Sequence, residues 1–456
     1  MRKPAASQKS LADRAKSSGA NKVKVAVTDI DGVLRGKYLH LDKFESAGEG
    51  GFGFCNVVLG WDAADVCYDN AHYTGWHTGY PDALVRLDPG TFRQVPWDAN
   101  VPFVLGEFVD QDQNPLAICP RQLLKRVLER LERAGYSAMA SFEYEFFHFR
   151  ETPQTLAEKR YVSPAPLSPG MFGYSLLRLN QNRAYVNALF DEMAAFGVPI
   201  EGLHTETGPG VLEAAIRYSA PLEAADRAVL FKSGAKEIAH RFGILPSFMA
   251  KWSRDLPGCS GHIHQSLWDA AGRKNVLFDP KAAGGVSSTF TSYVAGQLAC
   301  LPEFLPLYAP TVNSYKRLVE GAWAPTRANW GVDNRTTALR AISGGSKSTR
   351  LETRVNGSDS NPYLALAAAL ASGLWGVENR LSAPAPITGS GYDDKLALVL
   401  PRTLEEATDR FEKSTVAREL FGDAFVDHFT ATRRWEWRQF RSAVTDWELQ
   451  RYFEII

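Results

Sequence analysis

Two glutamates on one candidate strand are the first residues in this sequence that could do chemistry. The stretch MASFEYEFFHF, residues 139–149, places Glu143 and Glu145 two positions apart among aromatic residues. In a strand, alternate side chains share a face, so both carboxylates would lie together with Ser141, opposite an aromatic wall. Like charges held against an apolar layer repel each other and resist desolvation, and a bound cation relieves both penalties. A solvated edge strand would have the same pattern.

Two more segments carry acidic or imidazole side chains at short spacings. In HTETGPGVLEAAI, Glu206 and Glu213 flank a Gly-Pro-Gly break, which lets the chain bend so that both carboxylates can reach one point. A surface turn would have the same pattern. In GCSGHIHQSL, His262 and His264 would share a strand face, with Ser266 beyond them. Taken alone, this pair also fits one core histidine and one surface histidine.

Arginines dominate the segment that follows. In STRLETRVNGSDSNP, alternation places Arg350, Glu352 and Arg354 on one strand face, a pattern that is also typical of a cross-strand salt-bridge ladder. Residues 309–342, which precede it, are rich in turn residues and would by themselves suit a solvated surface loop. Their arginines are Arg317, Arg327, Arg335 and Arg340. Arginine forks bind carboxylate and phosphate oxygens in a bidentate way.

Together these segments supply five carboxylates, one or two usable histidines and several arginines, without a thiolate ligand. Hard oxygen ligands favour Mg²⁺ or Mn²⁺ over zinc or copper. Two such ions beside an arginine cluster are typical of enzymes that transfer phosphoryl groups. The sequence contains neither a GxxxxGK[ST] loop nor a GxGxxG run after a strand, so neither a P-loop nor a Rossmann site is available.

The elements that must position these residues fall into two parts of the sequence with different residue patterns. Residues 23–115 alternate short apolar runs with Gly, Pro and Asp. Here KVKVAVTDIDG and VLRGKYLHL predict two strands joined by an Asp-Gly turn, and VPFVLGEFVD predicts another. The residue pattern changes at Pro120, where the spacing of apolar residues predicts a helix that ends at Gly135. Further long helices are predicted over 221–242 and 362–379.

The composition is that of an ordinary globular protein. The 456 residues include 51 Lys plus Arg and 51 Asp plus Glu, a balance that gives no field for nucleic acid or an anionic membrane. No apolar run is long enough to span a bilayer. The basic segment 1–22 lacks the apolar stretch of a secretory signal and is interpreted as a flexible tail or a short docking helix around 11–16. Five scattered cysteines without a CxxC pair predict reduced thiols and a cytoplasmic location.

Several motifs, in their order and spacing, resemble those of the glutamine synthetases. They are FEYEFF, TGPGVLE, SGHIHQSL, PTVNSYKR, NRTTALR, RLETRV and NPYLALAA, and the resemblance covers about residue 25 to the end. It implies an α+β fold with a small β-grasp domain, placed over 23–117, and a catalytic domain of antiparallel strands and helices over 118–456. It also implies a homo-oligomeric ring, usually doubled to a dodecamer, with active sites between neighbouring subunits.

Matched motif by motif, the resemblance implies two or three Mg²⁺ or Mn²⁺ ions per site and ATP as co-substrate. One metal would be held by Glu145, Glu206 and Glu213, and another, which bridges ATP phosphates, by Glu143, His262 and Glu352. The residues that would contact ATP and the transferring phosphoryl group are Arg335, Arg340, Arg350, His264 and Ser266. The residues that would orient glutamate are Arg317 and Arg354, with Gly258 close by.

The chemistry that the resemblance implies is activation of a carboxylate. The γ-carboxylate of glutamate attacks ATP, giving γ-glutamyl phosphate and ADP, and a neutral amine then displaces phosphate. Phosphorylation supplies the leaving group that a carboxylate lacks, and the amine must lose a proton before it attacks. Asp62, in LGWDAAD, lies near the place where the family keeps an Asp on the amine side, although a turn or helix-cap Asp would look the same.

Two departures from the family pattern lie near the substrates. Enzymes that use ammonia carry a Glu in the flap after NSYKR, in a pattern like RLVPGYEAP, whereas this chain has RLVEGAWAP with Trp323 at that place. An indole cannot accept a proton, but it offers an apolar face and cation–π contact to an organic amine. The alternative is that Glu320, three residues earlier, takes over the role. The second departure is Pro257, where ammonia-using enzymes usually have Asn near the glutamate.

The sequence therefore favours a γ-glutamyl-amine ligase, similar to the γ-glutamyl-polyamine synthetases, whose partners are glutamate, ATP and an organic amine. Two alternatives remain open: a glutamine synthetase that uses ammonia, and a catalytically silent homologue with a binding role. All six metal positions are filled, which argues against the silent homologue. The amine itself stays open among polyamines, ethanolamine, small alkylamines and anilines.

Overall fold

The computed structural model describes residues 10–456, which build two β-sheets flanked by helices. The strands of the first sheet are β1 (Lys22–Thr28), β2 (Leu34–His40), β3 (Phe52–Cys55), β4 (Asp82–Leu87), β5 (Arg93–Val95) and β6 (Val101–Val109). They lie in the order β2-β1-β6-β4-β3, with β5 also paired to β6. This sheet comes entirely from the strand-rich part of the sequence and carries none of the predicted metal ligands.

The first two strands form the hairpin that the Asp-Gly turn predicts. β1 and β2 pair antiparallel along their whole length, and β1 also pairs in parallel with β6. In the turn, Gly32 has φ 81°, and a Cβ at this position would lie 3.0 Å from the Cα of Asn361. The amide of Asn361 donates to the carbonyls of Asp29 and Ile30, each at 3.1 Å. The hairpin turn is therefore fastened to the C-terminal part of the chain.

The second sheet has eight strands and holds most of the predicted metal ligands. Its strands are β7 (Tyr136–Phe149), β8 (Ile200–Thr205), β9 (Val211–Ile216), β10 (Leu245–Ser247), β11 (Gly261–Asp269), β12 (Trp330–Val332), β13 (Leu339–Ile342) and β14 (Arg350–Thr353). They lie in the order β12-β13-β14-β11-β7-β9-β8, with β10 paired to the end of β7. Every pair is antiparallel except β12 with β13. The predicted α+β architecture is confirmed.

Fourteen α-helices lie within residues 10–456. They are α1 (Leu11–Ser17), α2 (Leu41–Gly50), α3 (Pro120–Arg133), α4 (Pro153–Glu158), α5 (Leu176–Gln181), α6 (Arg183–Ala195), α7 (Pro221–His240), α8 (Ser288–Tyr308), α9 (Ser314–Arg317), α10 (Pro362–Glu378), α11 (Leu404–Lys413), α12 (Thr415–Phe421), α13 (Asp423–Ser442) and α14 (Asp446–Tyr452). The three predicted helices are confirmed as α3, α7 and α10. Each begins with a proline. The first residues of a helix have no intrahelical acceptor for their N–H groups, so a proline there costs no hydrogen bond. In this part of the chain, none of the helices has the length and apolar character needed to cross a bilayer.

The main core gathers buried side chains of the second sheet and of helices α3, α7, α8 and α10. Phe142, Tyr144 and Phe146 of β7 project into it and are fully buried, as the alternation in this strand predicts. Tyr144 and Phe146 pack against Phe231 of α7 and against Phe248 in stacked and edge-on pairs. Aromatic packing on this face therefore fixes where the carboxylates on the opposite face of β7 point.

The N-terminal segment, interpreted over 1–22 as a tail or a docking helix, is helical where it is described. Ser10 caps α1, and Leu11 and Ala15 are buried in the core of the first sheet. Residues 1–9 lie outside the described residues. The described part of this segment thus contains a helix that packs on the first sheet.

The two sheets share no strand, and α3 follows the last strand of the first sheet directly in the fold. We therefore propose to keep the domain boundaries predicted from the sequence, 23–117 for the small domain and 118–456 for the catalytic domain. All five cysteines are free thiols, three of them buried. This agrees with the reduced state that their scattered spacing predicts.

Candidate active site

One face of the second sheet gathers acidic and imidazole side chains from adjacent strands. Glu145 of β7 lies opposite Glu213 of β9. Glu143 of β7 lies opposite His262 of β11. Because residues that pair across neighbouring strands point to the same face, the register of the sheet alone brings these four side chains together.

The row continues on the other side of β11. His264 pairs with Glu352 of β14, and Glu352 pairs with Arg340 of β13. Arg340 Nη1 donates to Glu352 Oε2 at 2.9 Å. His264 Nε2 lies 2.9 Å from Glu143 Oε2, and Arg350 Nε donates to His264 Nδ1 at 3.3 Å. Basic groups therefore border the acidic ones on this side of the face.

All the predicted metal ligands line one cavity of about 290 Å³, called here the acidic cavity. They are Glu143, Glu145, Glu206, Glu213, His262 and Glu352. The Gly-Pro-Gly break between β8 and β9 brings Glu206 to the same cavity as Glu213, as its position in the sequence predicts. The predicted phosphoryl-, glutamate- and amine-binding residues on this wall are Arg317, Arg335, Arg340, Arg354, Gly258 and Trp323, together with Pro257.

The carboxylates in the acidic cavity repel one another. Burial raises the pKa of Glu213 to about 11, and hydrogen bonding to Glu143 and the charges of Glu143, Glu145 and Glu206 act in the same direction. Burial likewise raises the pKa of Glu145 to about 6. Glu143 shifts the opposite way, because hydrogen bonds with His264 and Glu213 outweigh its burial and lower its pKa. A bound dication would relieve this repulsion.

The donor set fits a divalent metal. His262 is 4% exposed, and its Nε2 has no hydrogen-bond partner among residues 10–456. Burial first, and then the charge of Arg354, lowers the pKa of His262 to about 3, which keeps the imidazole neutral and able to act as a ligand. The other donors are hard carboxylate oxygens, which suit Mg²⁺ or Mn²⁺.

These ligands are not yet gathered around one point. Within the described part of the chain, no three His, Cys, Asp or Glu side chains form a group that could hold a metal ion. Several carboxylates bind protein groups: Glu352 pairs with Arg340 and Arg354, and Glu145 accepts the N–H of Ser260 at 2.7 Å. Metal binding requires side-chain rotations that exchange these partners, so the metal assignment stays a prediction.

Arg317, predicted to orient glutamate, is 1% exposed on the wall of the acidic cavity. Its guanidinium donates to Ser260 Oγ at 3.2 Å and to the carbonyl of Val355, while its Nε has no partner among the described residues. A Cβ on Gly258 would lie 2.5 Å from both Arg317 Cγ and the carbonyl oxygen of Ala250. Only glycine at position 258 therefore leaves room for this arginine.

The other arginines of the acidic cavity differ in how many protein groups they already bind. Arg354 is 5% exposed, pairs with Glu352 and donates from Nε to the Arg335 carbonyl at 3.2 Å. Arg340 also pairs with Glu352 and with Asp333. The Arg335 side chain is exposed and makes no hydrogen bond or ion pair with any residue between 10 and 456. Its fork can bind a phosphoryl oxygen without first breaking a salt bridge.

The remaining predicted ATP-binding residues line an adjoining cavity of about 990 Å³. They are His264, Ser266 and Arg350, and Glu143 lines both cavities. The sequence did not point to six residues of this wall, which combine aromatic rings with cations. They are Tyr218, Trp268, Arg273, Lys274, Phe278 and Lys347. Rings can stack on a base and cations can bind phosphates, but most of these residues lie on loops, where no periodicity marks them.

The flap, residues 319–324, brings Trp323 to the wall of the acidic cavity. Trp323 is 62% exposed and has φ 58°, a left-handed backbone conformation. Glu320 is exposed and does not line the cavity. Of the two side chains considered for the amine, Trp323 is thus the one on the wall. Tyr174, to which no sequence pattern points, lies on the same wall and stacks on His204 at 4.3 Å.

Asp62 lies outside both cavities. Its Oδ1 accepts the N–H groups of Ala64 at 2.8 Å and Val66 at 3.0 Å, and its Oδ2 accepts Nε1–H of Trp435 at 2.9 Å. The side chain closes a turn and fastens it to α13, which is the structural alternative that the sequence left open. Asp62 is therefore not part of the site within one chain, and its role toward the amine stays a prediction that requires a neighbouring copy.

The chain is similar to known proteins over most of its length. The model of the glutamine synthetase catalytic domain matches residues 117–452. The chain is 54% identical over 438 residues to type-1 glutamine synthetase 2 of Dictyostelium discoideum, covering 95% of this chain and 84% of that protein. It is 38% identical to the glutamate–isopropylamine ligase of a Pseudomonas species, covering 95% of both chains. It is 41% identical to the gamma-glutamylethanolamide synthetase of Streptomyces coelicolor, covering 95% and 92% of the two chains.

A solved structure named GmaS/ADP complex is similar to the whole molecule. Its TM-score is 0.85 at 28% identity, and the match covers 97% of this chain and 99% of that chain. The family, the fold and the reaction class that the sequence predicts are confirmed by these similarities. The chain belongs to the glutamine synthetase family and is an ATP-dependent ligase.

Proposed function

We propose that this ligase joins an organic amine to the γ-carboxylate of glutamate through γ-glutamyl phosphate. The observation that carries the proposal is Trp323, which lines the same cavity as Glu206 and Glu213. Ammonium is small and strongly hydrated, so its pocket needs carboxylates that replace water and accept a proton. An indole does neither, but it packs on the carbon atoms of an alkyl or aryl amine and attracts an ammonium group through its ring face.

The metal ligands fall into two groups in this proposal. Glu145, Glu206 and Glu213 would hold one Mg²⁺ or Mn²⁺, and Glu143, His262 and Glu352 would hold another, with two or three ions in each site. When bound, such ions neutralise phosphate charge and orient the nucleotide. The unpartnered Nε2 of His262 and the crowded carboxylates support this assignment.

The arginines carry out the first step. Arg317 and Arg354 bind glutamate and orient its γ-carboxylate, while Arg335 and Arg340 bind the oxygens of the transferring phosphoryl group. The residues of the adjoining cavity, among them His264, bind ATP. The γ-carboxylate attacks the γ-phosphorus and ADP leaves. The deprotonated amine then attacks the acyl carbon, and phosphate leaves.

Burial of carbon against the flap gives an organic amine its advantage. At about 25 cal/mol per Å², burying roughly 60–80 Å² of amine carbon contributes about 1.5–2 kcal/mol, which is more than about tenfold in specificity. We therefore expect kcat/KM for some organic amine to exceed that for ammonia by at least about tenfold.

Some of the relatives support an organic amine, and another supports ammonia. The relatives named as an isopropylamine ligase and an ethanolamide synthetase, at 38% and 41% identity, support an organic amine. The second candidate function is ligation of ammonia, which is favoured by the relative at 54% identity, named as a glutamine synthetase. Because a family name does not define the amine pocket, the flap residue decides between them in this proposal.

The experiment is an amine panel scored by glutamate-dependent ADP release. Polyamines, ethanolamine, isopropylamine, methylamine, aniline and ammonia are compared by kcat/KM in the wild type, in Trp323→Glu and in a control, Tyr161→Glu, an exposed aromatic outside both cavities. Trp323→Glu is expected to move the ratio towards ammonia, and the control is expected to leave it unchanged. Ammonia as the best acceptor of the wild type, or an unchanged ratio in Trp323→Glu, would refute the proposal.

We also propose that the enzyme works as a homo-oligomeric ring, a dodecamer, in the cytoplasm, with no nucleic acid or membrane partner. The free thiols and the balanced charge support the location. The position of Asp62 outside its own chain's site supports a site completed by a neighbour. Light scattering combined with activity measurements tests the assembly, and a fully active monomer at assay concentration would contradict it.

A further inference from the structure

The flap has few hydrogen bonds that hold it in place, although Ala324 at its end is buried. Its backbone forms one short-range hydrogen bond within the flap and one to the carbonyl of Arg317. Among residues 10–456, a single side chain hydrogen-bonds to it: Tyr392 Oη donates to the carbonyl of Ala324 at 3.1 Å. No ion pair to the flap occurs in the same range. Among the side chains of residues 10–456, the Tyr392 hydroxyl is therefore the one that tethers the flap by a hydrogen bond.

Tyr392 is itself fixed to the catalytic sheet. The carbonyl of Gly391 accepts from Asn329 Nδ2 at 2.8 Å, and the Gly391 N–H donates to Thr336 Oγ1 at 2.7 Å. The carbonyl of Tyr392 accepts from Arg327 Nε at 3.3 Å. Asn329 directly precedes β12, and Thr336 lies just before β13. The backbone at Gly391 and Tyr392 is thus tied to the loops that precede two strands of the sheet, while the Tyr392 hydroxyl extends to the flap.

The hydroxyl meets the flap at Ala324, the residue that follows Trp323. Burial raises the pKa of Tyr392, while the charge of Arg354 and the backbone N–H of Trp323 act in the opposite direction. The left-handed φ of 58° at Trp323 is uncommon for a bulky residue, which adopts it only when its surroundings impose it.

We propose that Tyr392 is a positioning residue for the amine, because its hydroxyl latches the flap and so sets where the Trp323 indole stands on the cavity wall. This inference rests on the proposed role of Trp323 in amine recognition. Tyr392 lines neither cavity, so it acts through the flap and does not touch the substrates. Glutamate and nucleotide depend instead on residues of β11, β13 and β14 and on Arg317, which the latch does not hold.

The test is Tyr392→Phe, which removes the hydroxyl and keeps the ring. The matched control is Tyr38→Phe, whose hydroxyl donates to Asp98 at 2.7 Å on the first sheet. KM and kcat are measured for the best acceptor amine, glutamate and ATP. We expect the amine KM to rise about fivefold in Tyr392→Phe, the effect of one hydrogen bond. The KM values for glutamate and ATP, the Tm and all values of the control should stay unchanged.

Hydrogen exchange gives a second, direct readout. Amides of a peptide that covers the flap should exchange faster in Tyr392→Phe than in the wild type and in Tyr38→Phe. An unchanged amine KM overturns the inference, and so does an equal rise of all three KM values with a lower Tm, which marks a general structural role. The comparison uses whichever amine is the best acceptor. Ammonia as that acceptor would refute the proposed function and still allow the latch to be tested.

Discussion

The acidic face of the second sheet and the flap meet at one cavity but are built in opposite ways. On the sheet, strand pairing places each carboxylate, and buried aromatic side chains back the strand that carries two of them. In the flap, Trp323 is 62% exposed and has a left-handed backbone, and one side chain within residues 10–456, Tyr392, donates a hydrogen bond to the neighbouring Ala324. The difference indicates that carboxylate activation uses the rigid scaffold, whereas amine choice uses a segment that can change without disturbing it.

The largest expected effect is on the sheet. Glu145→Ala and Glu352→Ala should each lower glutamate-dependent ADP release by roughly 10³-fold or more with every amine, because each removes a metal-binding carboxylate and leaves phosphoryl charge uncompensated. Steady-state kinetics at saturating Mg²⁺ and Mn²⁺ measure this loss. Activity within about tenfold of the wild type in both variants would contradict the metal assignment and remove the contrast with the flap.

A smaller effect is expected at Gly258, next to Arg317, the arginine predicted to orient glutamate. In Gly258→Ala the new Cβ would meet Arg317 Cγ and a backbone carbonyl, each at 2.5 Å, so the guanidinium must shift. We expect the KM for glutamate to rise on the order of tenfold and the free energy of unfolding to fall by about 1–3 kcal/mol. The matched control is Gly202→Ala on β8, where nothing lies within 4 Å of the new Cβ. Equal effects in both variants would show that the clash with Arg317 is not the cause.

The smallest expected effect is in the flap. Glu320→Gln should change the ratio of organic amine to ammonia by less than about twofold, because Glu320 is exposed and lies off the cavity wall. The amine panel measures this ratio in the variant and in the wild type. A loss of tenfold or more in either amine would show that Glu320 serves as the proton acceptor, and the flap would then resemble that of the ammonia-using enzymes.

Residues in regular elements could be predicted from the sequence, because a periodic pattern marks them. The period of two in β7 identified the face of Glu143 and Glu145, and the prolines at the starts of α3, α7 and α10 fixed those helices to within two residues at their ends. Loop residues carry no such mark. Tyr174 and Lys347 reach the cavities from loops, and Tyr392 meets Ala324 across 68 residues. Contacts of this kind are set by the folded path of the chain.

The ambiguity at Asp62 has a different origin. An aspartate that caps a turn and an aspartate that accepts a proton share the same side chain, and both occur in loops next to glycine. The sequence therefore left both roles open, and only the hydrogen bonds to Ala64, Val66 and Trp435 show how the carboxylate is used within one chain. A residue type alone could not have separated the two.

The contact between the first hairpin and α10 has a consequence for how the chain is made. Asn361, which fastens the turn at Asp29, follows it by 332 residues, and Arg433, which pairs with Asp31, follows by 402. At about 5–20 residues per second, a ribosome adds Asn361 about 17–66 s after Asp29. Until then this turn lacks both of its C-terminal partners. The fastening of the hairpin turn to the C-terminal part of the chain is therefore a late step of biosynthesis.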